Sequence, residues 1–216
     1  MGGFFSSKNI LFRAAERILD VCVLSLLWLV CSLPVLTAVP AASALYYSCV
    51  KCLRRGEKGP YLNFLRAFRD NLKTGTAASA VFLALGMMFA WFNFMLWQLA
   101  PPAARAAYLV IMLLPAGTLT CAAALLSRFD CTLRSLLRDA AQLTLRHLPR
   151  VLAGTVLNVL TAIACIKYFF LMAWLVLPAL DALLVSLFLE PVLKKYTPVD
   201  EKLAALPPGE RPWYLR

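Results

Sequence analysis

Lys167 and Asp181 are charged residues set in stretches that are otherwise strongly apolar. A charged side chain at membrane depth is costly and usually faces a partner or a cavity. If the last two apolar runs, 151–172 and 173–193, turn near Trp174, each charge lies seven residues from that turn on antiparallel neighbours. The spacing then predicts an intramembrane ion pair. Such a pair could fix helix register, or bound a polar cavity or a proton path. Asn93 and Asn158 are two further polar side chains inside apolar runs. They suit interhelical hydrogen bonds or contact with a ligand. Pro115, Gly117 and Pro178 interrupt spans, as Pro and Gly often do in membrane helices.

Other chemistry lacks its residues. His147 is the single histidine, and no GxSxG, Walker, HExxH or GxGxxG pattern occurs. Cys49 and Cys52 form an isolated CxxC. A metal site needs two more ligands, and a redox site needs a βαβ setting. The seven cysteines are odd in number and lie mostly in or beside apolar runs, which suits packing. Glu190, followed by Pro191 and near Lys194 and Lys195, reads as an interfacial charge cluster. The expectation is a non-enzymatic protein without cofactor or metal. The start MGGFFS fits a myristoylation pattern through Gly2 and Ser6, by coincidence in a multi-pass chain. The first apolar run is too long, and too soon followed by another, for a cleavable signal.

The elements that position these residues follow from hydropathy. The chain has 216 residues, 62% hydrophobic and 15% charged. Soluble domains run about 45–50% apolar and about 25% charged. The apolar runs predict an all-α membrane bundle of about six spans in three hairpins, near 20–37, 38–53, 74–99, 106–127, 151–172 and 173–193. The run 38–53 is short and contains Pro40, so a tilted span or a re-entrant half-helix both fit it. Residues 1–197 form one membrane domain, and 198–216 a proline-rich cytoplasmic tail.

Each hairpin is preceded by a basic amphipathic segment, at 8–19, 61–73 and 128–150. In the second, Tyr61, Phe64, Leu65, Phe68 and Leu72 recur at helical spacing, with Arg66, Arg69, Asp70 and Lys73 opposite. Such helices suit the headgroup layer. With both termini in the cytoplasm, all 22 Lys and Arg except Arg105 and Lys167 fall on the inner side, as Lys/Arg bias requires. The net charge of +11 therefore points to anionic headgroups rather than nucleic acid. Arg66, Arg69, Lys73, Arg134 and Arg138 are candidate docking residues. A transporter would need a polar cavity containing Lys167, Asp181, Asn93 or Asn158, whereas a dry interior of Leu and Phe would suit an accessory protein.

Several segments carry a resemblance: MGGFF at 1–5, LLWLVCSLPVLT at 26–37, ALYY at 44–47, and Phe64, Phe68, Asn71 and Lys73. SRFDCTL at 127–133 and Leu148-Pro149-Arg150 extend it. The chain resembles the YesL-like family of bacterial membrane proteins, defined by a domain of unknown function. Residues 38–42 read AVPAA where that family tends to have a glycine-containing turn. The resemblance implies a multi-pass protein of the bacterial plasma membrane. It further implies an accessory role in carbohydrate uptake, with sugar ABC-transporter subunits as partners, and it transfers no catalytic residue.

Overall fold

The computed structural model describes residues 10–57, 59–99, 101–129, 131–167 and 171–196. They are helical apart from short turns, without a strand. Eight α-helices follow in order: α1 (Ile10–Ser32), α2 (Ala38–Ser48), α3 (Pro60–Asp70), α4 (Leu72–Leu99), α5 (Pro102–Leu126), α6 (Leu133–Arg146), α7 (Leu148–Lys167) and α8 (Leu171–Tyr196). Five segments are long and apolar enough to cross a membrane: Val35–Arg54, Leu72–Gln98, Pro102–Leu126, Leu148–Lys167 and Trp174–Tyr196. The proline-rich tail and the Gly2 and Ser6 pattern lie outside the described residues.

The first expected span, 20–37, needs correction. No breaker separates the basic lead-in from the apolar run, so both form the single helix α1. Leu33 and Pro34 end it, because the residue before proline is driven out of helical geometry. A short 3₁₀ turn over Val35–Thr37 then leads into α2. With its charged first half, α1 is not among the five apolar segments.

The short second run is the centre of the bundle. α2 packs against α1, α3, α4, α5 and α8. The 3₁₀ turn accepts the Ala38 N–H at the Val35 carbonyl, and the next amide, the Val39 N–H, donates to Ser79 Oγ of α4 at 3.1 Å. Pro40 sits against Gly75, where a side chain would leave no room. α2 continues into a wider π-helical segment, Cys49–Arg54. Single π-turns inside helices are frequent at functional sites.

The two later amphipathic helices are separate elements, and protein covers the centre of each apolar face while Tyr61, Leu65 and Leu145 stay exposed. In α3, Phe64 is fully buried, stacks on Phe68 and packs with Leu24, Leu45 and Cys49. In α6, Leu136 and Ala140 are fully buried. α6 folds back along α5, with Thr144 near Gly117, well before α5 ends. Their charged faces stay outward: Arg66, Arg69, Lys73, Arg134 and Arg138 are all exposed. Tyr61 at the start of α3 donates to the Asp20 carboxylate of α1. That bond pushes the phenol up to about 12.

α4 is the most peripheral long helix. Met87, Trp91, Phe92, Phe94 and Trp97 are exposed on it, an apolar surface suited to lipid. Arg105 lies 5.0 Å from the Trp97 ring centroid and clasps the α4–α5 turn.

Candidate functional site

Two features stand out: a half-open cavity between helices and a buried charge cluster. The cavity has a volume of about 460 Å³ and is walled by α1, α2, α5, α7 and α8. Trp28, Leu45, Ala116, Leu119, Ile166, Trp174 and Val185 give it an apolar lining. Its polar groups are few. Asp181 accepts from Thr161 Oγ1 at 3.1 Å, and Asn158 Nδ2 donates to Thr120 Oγ1 at 3.3 Å. Thr120 and Thr155 also donate back to their own helices, which quiets those hydroxyls.

The structure does not bring Lys167 to Asp181. Among the described residues the ion pairs are Lys51–Glu57, Arg55–Glu190 and Arg128–Glu190. Asp181, ten residues into α8, instead faces Thr161, which lies six residues before Lys167 on α7. Lys167 is exposed and lies outside the cavity lining. Asn93 is half-buried on α4 and is also absent from the lining. Of the four polar candidates, the cavity gathers Asp181 and Asn158. Replacing Lys167 with alanine should leave the melting temperature of the detergent-solubilised chain unchanged within about 0.5 kcal/mol of stability, as for an exposed substitution. A larger loss would restore the ion pair.

The charge cluster corrects the sequence reading of Glu190. Its side chain is 3% exposed and faces inward, away from an interfacial group with Lys194 and Lys195. Arg128, from the turn after α5, holds Glu190 Oε1. Arg55, just beyond the π-segment, holds Oε2 at 3.1 Å. Tyr46 of α2 donates its hydroxyl to Oε1 at 3.3 Å. Burial lowers the pKa of Arg55, with the nearby carboxylate opposing that shift. One residue earlier, Arg54 donates to the Ser186 carbonyl at 3.2 Å and to its hydroxyl at 3.3 Å. The cluster thus ties α2, α5 and α8 together.

Sequence reasoning passed over Arg128, Arg55 and Tyr46. The available signal was Glu190 itself, flanked by Leu189, Val192 and Leu193. An acid in such a run needs a cation. Tyr46 joins the two features, since it lines the cavity while its hydroxyl reaches Glu190. Cys49 and Cys52 are buried free thiols. Cys49 Sγ lies 3.7 Å from the Ala179 carbonyl, and Asn63 donates to Cys52. No group of three metal-binding side chains occurs among the described residues.

No curated protein and no solved structure matches the chain. Residues 21–94, which hold Trp28, Tyr46, Arg55 and α3, match the model of a family described as "Protein of unknown function, DUF624", and over that segment the chain is similar to this family.

Proposed function

We propose that this chain is a YesL-like multi-pass protein of the bacterial plasma membrane, with six passes and both termini in the cytoplasm. Counting α1 with the five apolar segments gives the six. In this reading it is a non-enzymatic accessory or regulatory component of carbohydrate (ABC-type) uptake. The observation that carries the reading is the outward basic face of α3 and α6, helices anchored in the core by Phe64 and by Leu136 and Ala140. Those cations are left for anionic headgroups and for the transporter subunits. The cavity supports the same division of labour. A sugar needs many polar partners to replace its hydration, and this lining offers few.

Deleting α3 would remove Phe64 from the core, so charge reversal is the cleaner test. Arg66→Glu, Arg69→Glu and Lys73→Glu together should abolish recovery of sugar-transport permease or ATPase subunits on affinity purification in mild detergent. Membrane levels of the chain should stay unchanged. Recovery that survives the reversal would sink the docking role.

A second reading is favoured by one observation, the presence of Asp181 and Asn158 in a cavity between helices. There the chain is an autonomous small-molecule transporter or channel. Lys167, outside the lining, takes no part in that path.

A further inference from the structure

Asp181 stands out against Glu190 on the same helix. Glu190 is gripped by two guanidinium groups. Asp181 has one hydrogen bond, from Thr161, and no ion pair among the described residues. It lies ten residues from the start of α8, roughly 15 Å along the helix axis. A carboxylate at such depth calls for a cationic partner. Asp181 lines the cavity, whose volume of about 460 Å³ falls within the range of small-molecule sites, about 300–1,000 Å³. Apart from Thr161, Asn158 and two threonines bonded to their own helices, the walls are apolar, with the aromatic residues Trp28, Tyr46 and Trp174 among them. Aromatic faces attract cations, and apolar walls favour a hydrocarbon body.

We propose that the cavity binds a small hydrophobic amine, its ammonium group on Asp181 and its apolar body against Trp28 and the α5 and α7 walls. The ammonium headgroup of a lipid sits at the membrane surface, too far from Asp181 to serve, so the ligand is a free amine. The proposal deepens the second reading above by naming the ligand class, and does not depend on the docking reading. Binding is measured without partner or transport, so failure of either reading shows separately.

The test uses the purified full chain in mild detergent and two probes of the same shape, 1-adamantylamine and 1-adamantanol. Trp28 and Trp174 supply the fluorescence signal from the cavity wall. The amine should bind saturably, at least about tenfold tighter than the alcohol. Asp181→Asn should bring the two affinities to within about twofold while leaving alcohol binding intact. Ala182→Phe, which fills the cavity, should remove both responses. Equal affinities for amine and alcohol in the parent chain overturn the proposal, even if neither variant folds. So does an amine preference that persists in Asp181→Asn, amine binding that survives Ala182→Phe, or no saturable response to either probe.

Discussion

Glu190→Ala should destabilise the folded chain by about 3–5 kcal/mol, the usual cost of removing one partner from a buried charge pair. The magnitude follows from what is left behind. The Arg128 side chain is 1% exposed and that of Arg55 is 13% exposed, so neither guanidinium can turn readily to water. Tyr46 also loses its acceptor. Glu190→Gln keeps the shape and an acceptor oxygen but loses the charge, and should fall between alanine and the parent. Lys194→Ala, at the exposed end of α8, is the control and should shift stability by no more than about 0.5 kcal/mol. Size-exclusion melting curves in detergent give the order directly. A Glu190→Ala curve that overlays the parent would mean that the cluster does not hold α2, α5 and α8 together. The pairs need not add net stability over an apolar replacement. Replacing Glu190, Arg55 and Arg128 together with apolar residues of similar volume should cost less than Glu190→Ala alone, because no charge is stranded.

Gly75→Ala should cost about 1–3 kcal/mol through overpacking. The added methyl would stand 2.8 Å from Pro40 Cβ and 2.9 Å from Pro40 Cδ. A proline ring is held at two points of the backbone, so it cannot swing aside as a lysine tip would. Relief requires α2 and α4 to separate, and that would lengthen the 3.1 Å bond from Val39 N–H to Ser79. Gly86 lies on the same helix with nothing within 4 Å of a built Cβ. Gly86→Ala should therefore stabilise α4 by up to about 1 kcal/mol, the propensity difference alone. The two variants in parallel separate close packing from propensity. Equal effects of the same sign would refute the contact.

The amphipathic helices were legible because period and charge agree. Phe64, Phe68 and the arginines opposite them specify both α3 and its outward face. What covers the apolar face was not legible, since headgroups and neighbouring helices ask for the same periodicity. α1 was misdivided because its composition changes near Asp20 while its helical propensity does not. Only Pro34 is a true stop. The Lys167–Asp181 pairing failed because equal spacing from an assumed turn does not fix the register of two helices: Asp181 meets Thr161, six residues before Lys167. Asp181 and Asn158 were found because polar side chains in apolar runs are visible in a single sequence. Trp28 and Tyr46 gave no such signal, and a void among side chains has no sequence period. The bond from Tyr46 to Glu190 spans 144 positions, and nothing local announces it.

Tyr46 has one further consequence, a thermodynamic one. The same residue lines one site and gives its hydroxyl to the other. An occupant that shifts the ring perturbs the hydroxyl's bond, and the two equilibria become linked. Linkage is reciprocal. Whatever factor cavity occupancy imposes on closure of the Arg55–Glu190–Arg128 cluster, closure imposes on affinity in the cavity. Tyr46→Phe keeps the ring, cuts the hydroxyl bond and should bring that coupling factor towards unity.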